Sequence, residues 1–212
     1  MRRVLGFIVV AALAVPGVAN AEASKAFAQL RDKSQPLESL SSFLSSFVGD
    51  CGSDPIDGAE CKKKVDAYRK ESLGKSYYVI LGDDAQRLIE QKGFSPQTHE
   101  MEFALTPFFE ASGLALTHGQ PSKLDSEGRP IIPLIRMQTQ LPESVMPMDV
   151  DRVFRTGSVR MQIVFKPLGL WKMPRHDKKG AFVEGVKGQL LAVRLSEART
   201  GTDIAVWVPT SK

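Results

Sequence analysis

At Gly74 the spacing of apolar residues changes from the 3.6-residue period of a helix to the two-residue period of a strand. That change restricts the chain to folds with helices first and a sheet after. Ahead of it, Leu37, Leu40, Phe43, Leu44, Phe47 and Val48 fall on one helical stripe, with Ser39, Ser41, Ser42, Ser45 and Ser46 on the other side. Pro36 suits the first turn of this helix and Gly49 its C-terminal end. A second helix is expected over residues 59–72, with Cys61, Val65 and Tyr68 inward and Lys62, Lys63, Asp66, Arg69 and Lys70 in water. Beyond Gly74, alternation predicts strands at 75–81, 101–105, 111–117, 134–141, 159–165, 189–195 and 203–208. The last two form a hairpin across Thr200-Gly201, and residues 83–91 fit either a short helix or a strand. The fold class is α+β: a disulfide-stapled N-terminal helical hairpin packed on a mainly antiparallel β-sheet, as a sandwich or an open barrel.

The staple is Cys51 with Cys61, the two cysteines of the chain, placed at the ends of the two apolar stripes on either side of a turn at 52–58. In an exported chain an even count reads as a disulfide. Closing a loop of this size adds roughly 2.5 to 3 kcal/mol in the chain-entropy view. A redox pair wants C-x-x-C spacing, and nine residues intervene here. A calcium loop is a rival, since Asp50, Asp54, Asp57 and Glu60 crowd the same turn. Against it, Gly52 and Pro55 fall where an EF-hand needs a ligand and its glycine, and Cys61 replaces the closing glutamate.

Export is read from the first residues. Arg2 and Arg3 precede twelve apolar residues, Val4 to Val15, and Ala19-Asn20-Ala21 supplies the small residues of a cleavage site. Twelve helical residues reach about 18 Å, short of a hydrocarbon core of roughly 30 Å. Residues 1–21 are therefore expected to be a cleavable signal peptide cut near Ala21, 22–74 the helical hairpin and 75–212 the β-rich part. Residues 22–212 then form one folded unit, with no transmembrane segment in the mature chain and a periplasmic or secreted location.

Charge is unevenly spread. Residues 146–212 hold 12 basic against 6 acidic side chains, whereas 22–145 carry a net charge of −4. The basic end fits either an anionic partner or a domain whose charged faces meet internally. Within it, Trp171, Lys172, Arg175, His176, Lys178 and Lys179 place cations beside an indole, a composition suited to an anionic envelope polymer, a lipid headgroup or an acidic protein. A lysine-rich loop that keeps a strand edge soluble is the plainer reading. Nucleic acid is not expected as a partner, because no ladder of stacking aromatics accompanies the charge.

Catalytic chemistry finds little to build on. No metalloprotease, nucleophile-elbow or phosphate-loop motif is present, and no cofactor is implied. His99 shares a strand face with Met101 and Phe103, away from Glu100 and Glu102. His118, in Thr117-His118-Gly119-Gln120-Pro121, fits an ordinary turn or a functional loop. With Glu100, Glu102, Glu110, Asp125 or Glu127 it could serve a hydrolase.

Val48-Gly49-Asp50-Cys51 with Cys61, Leu105-Thr106-Pro107-Phe108-Phe109 and Ala115-Leu116-Thr117-His118-Gly119 resemble an uncharacterised family of exported bacterial proteins. The resemblance implies a bacterial source and an envelope or secreted location, and carries no activity with it. The expected function is a non-catalytic binding or structural protein of the cell envelope. The alternatives are an envelope hydrolase acting on carbohydrate or peptide, and a calcium-stabilised structural module.

Overall fold

The computed structural model describes residues 16–49, 51, 57–125, 130–174 and 182–209, with side chains from residue 21 onward. It opens with helix α1 (Pro16–Asp32) and a two-residue strand β1 (Gln35–Pro36), followed by helices α2 (Leu40–Val48) and α3 (Asp57–Ser72). The apolar stripe of α2 is buried at Leu40, Phe43, Leu44 and Phe47, while Ser42, Ser45 and Ser46 face solvent. The helix begins four residues later than Pro36 suggests. Its N-cap is Ser39, whose hydroxyl accepts from the Ser42 N–H at 3.1 Å. Pro36 belongs instead to β1, and the next N–H, that of Leu37, donates to the Tyr78 carbonyl. The sheet has claimed these residues first.

Gly49 ends α2 at φ 70°, with its N–H donating to the Ser45 carbonyl. A Cβ there would sit 2.5 Å from Val65 Cγ2, so α3 crosses against bare backbone. Arg69, expected in water, is instead partly buried. It donates to the Phe47 and Val48 carbonyls at 3.2 and 3.3 Å, supplying cationic donors to the open C-terminal end of α2. The Cys51–Cys61 disulfide is present, with Cα atoms 5.5 Å apart. Replacing both cysteines by Ser is expected to cost about 2.5–3 kcal/mol, read as a melting midpoint lower by about 5–10 °C. An unchanged midpoint would make the bond dispensable. Of the four carboxylates in the calcium reading, Asp50 and Asp54 lie outside the described residues, Asp57 opens α3 and Glu60 pairs with Lys64.

After Gly74 come β2 (Tyr77–Ile80), a 3₁₀ turn (Asp83–Leu88), β3 (Ile89–Ser95), β4 (Glu100–Leu105), β5 (Phe108–Ala111), β6 (Leu114–His118) and β7 (Ile135–Gln140). Helix α4 (Pro147–Arg155), strands β8 (Val159–Pro174) and β9 (Phe182–Glu197), and β10 (Asp203–Trp207) follow. Residues 83–91, left between helix and strand by the sequence, are both in succession. The larger sheet runs β1-β2-β8-β9-β6-β5, with β10 also on β9, and the smaller runs β3-β4-β7. Pairings are antiparallel except β1–β2 and β6–β9, and the described strands form no closed barrel.

One core gathers α2, α4 and strands of both sheets around Phe43, Phe103, Phe109 and Phe165, and Phe154 of α4 stacks on Phe103. A second, smaller cluster lies under α1, where Phe27 packs on Val164 and Ala192. The part of α1 that follows Ala21 carries this anchor. The β8–β9 hairpin is the spine, and its strands are far longer than the alternation predicts. Register shifts at Val164/Phe165 and Pro167/Gly169 break the period, so the sequence shows two short strands where the backbone makes two of 16 residues.

Candidate functional site

Past Phe165, β8 loses its neighbour β2, whose last partners are Gln162 to Phe165. From there outward it pairs only with β9 among the described residues. β9 in turn is flanked by β6 only over Gly185 to Gly188. The outer end of the hairpin is thus a two-stranded ribbon whose β8 edge is unpaired among the described strands. Such an edge presents backbone donors and acceptors to whatever approaches.

Its side chains follow from the register. Directly opposed residues of an antiparallel pair share a face, and successive residues alternate. Val186 and Leu190 enter the main core. Their row continues outward as Leu170 beside Val186, Lys172 beside Glu184 and Pro174 beside Phe182. The core therefore runs out along this face before the apolar residues do: Leu170 stays 39% and Phe182 51% exposed, with the bulged Leu168 at 47%. Lys172 lies 4.6 Å from the Phe182 ring centroid and 3.2 Å from a Glu184 oxygen. A cation held flat against an exposed ring keeps its charge and covers only part of the apolar face.

Trp171, grouped with the basic residues in the sequence, is only 2% exposed and leaves that surface. It points to the other face, over Gly185, where its Cζ2 lies 2.9 Å from the position a Cβ would take. The missing side chain of Gly185 makes room for the indole. Arg175, His176, Lys178 and Lys179 lie outside the described residues. Of the six residues singled out, Lys172 is the one placed on an exposed face among those described. The apolar members, Leu168, Leu170 and Phe182, were missed because Gly169 and the bulge hide their alternation.

Of the residues considered for hydrolysis, Glu100 accepts from the Thr98 hydroxyl at 3.0 Å and Glu110 is exposed on β5. His118 is half-buried at the end of β6, its Nδ1 accepting the Leu190 N–H at 3.1 Å and its ring edge-on to Trp207. Burial holds its pKa below the ordinary value. The imidazole thus acts here as a neutral acceptor tying β6 to β9. Its stabilising effect is complete above the unfolded-state pKa of about 6.5, and is lost as pH falls below it because the unfolded chain takes the proton more readily. Lowering the pH from about 7 to 5.5 should therefore destabilise the wild type more than His118→Gln, read as urea midpoints. Parallel loss in both proteins would contradict the assignment. Glu102 faces Arg136 at 3.4 Å across β4–β7, and Glu127 lies outside the described residues. His99 takes φ 52° in the turn before β4 rather than a strand conformation, and its ring packs edge-on against Phe94.

Among the described residues no helix is long and apolar enough to cross a membrane. A family model described as "Family of unknown function (DUF6066)" matches residues 1–212. No curated protein and no solved structure matches the chain.

Proposed function

Since the chain belongs to this family of unknown function over its whole length, we propose from its own surface that it is an exported, non-catalytic binding protein whose hairpin end docks on an acidic protein surface. One observation carries the reading: a cation, exposed Leu and Phe side chains and an unpaired strand edge meet on the same ribbon. Lys172 shares its charge with Glu184, but residues 172–184 carry four basic against two acidic side chains, and this excess asks for an anionic partner. Half-exposed Leu and Phe gain on the order of 1 kcal/mol each when covered, so the partner also offers apolar surface. The unpaired edge favours polypeptide over a sugar polymer or a lipid headgroup, because another backbone can complete its hydrogen bonds. The apolar N-terminus with its small-residue cleavage pattern, and the disulfide, support a location outside the cytoplasm.

A synthetic peptide alternating Glu and Leu is a direct probe. It should bind the chain, and the pair Leu170→Ser/Phe182→Ser should weaken it about tenfold, equivalent to about 1.4 kcal/mol. Lys172→Ser with Arg175, Lys178 and Lys179 also changed to Ser should weaken it comparably and flatten its salt dependence. If polyglutamate without leucine binds as well as the peptide, the site serves an anionic polymer and the proposal is wrong. Stronger retention on phosphatidylglycerol vesicles than on the peptide would give it to lipid instead.

A further inference from the structure

The chain carries a second surface complementary to the first. A cleft of about 460 Å³ opens between the start of α2, the run from Ile80 to Leu88, and β5. Its base is apolar, with Leu40 and Phe109 buried and Ile80 48% exposed. Its lining includes four carboxylates, Glu38, Asp83, Asp84 and Glu110, against the single guanidinium of Arg87, which is paired with Asp84 at 2.9 Å. All four residues of β5 line it. Alternate side chains of a strand point to opposite faces, so a consecutive run lines a cleft only where the strand's edge is turned toward it. β5 ends the larger sheet, pairing only with β6 among the described strands. Apolar base and unpaired strand edge thus answer the exposed leucine and phenylalanine and the unpaired β8 edge of the hairpin, while the acidic rim offers Lys172 further carboxylates beside its Glu184 partner.

We propose that the acidic partner of the hairpin is a second copy of this chain, the Leu170, Lys172 and Phe182 face of one molecule's hairpin seating against the β5 cleft of the next. The inference rests on the docking reading above and names its partner. Because the two surfaces differ, the contact is heterologous: it closes into a ring, of which a reciprocal pair is the smallest, or runs on as an open chain. The charge division of the sequence, +6 beyond residue 145 and −4 over 22–145, runs in the same sense.

Complementation tests it. In sedimentation velocity up to about 200 µM at low salt, the full chain should associate with concentration, and 0.5 M salt should weaken this. Lys172→Glu spoils the hairpin but leaves the cleft. Glu38→Lys/Glu110→Lys spoils the cleft but leaves the hairpin, at two exposed positions. Each variant should associate at least tenfold more weakly than wild type. An equimolar mixture should form a one-to-one complex and stop there, since only one competent hairpin and one competent cleft remain. A wild type that stays monomeric overturns the inference, while continued binding of the Glu-Leu peptide would leave the docking reading intact. Association abolished by Lys172→Glu but untouched by the cleft variant would point to a hairpin-to-hairpin dimer and also overturns it.

Discussion

Gly185→Ala is expected to lower stability by about 3–5 kcal/mol, the upper range for a single added methyl, because the atom it collides with is backbone. A Cβ at Gly185 would stand 2.1 Å from the Ala115 carbonyl oxygen and 2.9 Å from Trp171 Cζ2. Neither can rotate away. The carbonyl belongs to β6, paired in parallel with β9 over Ala115 to His118, and the indole is enclosed on the same face. Relief requires moving β6 off β9, which loosens β5 beyond it and with it one wall of the cleft. Gly188→Ala is the internal control. Its Cβ would meet Leu116 Cδ1 at 2.9 Å, the end of a flexible side chain, with the nearest backbone atom at 3.3 Å. A cost of about 1–2 kcal/mol is expected there. Thermal melts of both variants decide the matter: if Gly185→Ala costs no more than Gly188→Ala, β6 does not approach β9 as closely as described.

The same region shows what the sequence could and could not disclose. Helix α2 was legible because a serine face opposes a clean apolar stripe, α3 because lysines flank Cys61, Val65 and Tyr68, which are only half-buried, and the central residues of β4, β7, β8 and β9 by alternation. The start of α2 was not, because Pro36 and Leu37 take part in a contact with β2 some 40 residues away. Helix α4 has nine residues with Val150 alone buried, too short a stripe to stand out. At the hairpin end Trp171 departs from the reading for a different reason. Proximity to lysines made Trp171 look like surface, but its burial follows from Gly185 opposite it, and pairing partners are not written in local composition. The cleft draws on three segments, 38–41, 80–88 and 108–111, that only the fold brings together.

Phe43→Ala is expected to cost about 3–5 kcal/mol, more than breaking the disulfide. The ring is 2% exposed and its neighbours come from both halves of the chain. Phe47 and Tyr68 of the helical hairpin lie 5.5 and 6.4 Å away between centroids, and Tyr77 and Phe165 of the larger sheet lie at 5.0 and 5.3 Å. Four aromatic partners around one side chain leave a cavity that rigid rings cannot collapse to fill, so the loss includes both transfer and void terms. For a chain of this size each kcal/mol moves the midpoint by about 2–4 °C, giving a shift of about 10 °C. The form of the transition matters as much as its position. If Phe43 joins helices to sheet in one cooperative unit, far-UV and near-UV signals should still fall together in the variant at the lower temperature. Separate transitions in the wild type, with Phe43→Ala moving only the helical one, would show that the hairpin and the sheet are stabilised independently.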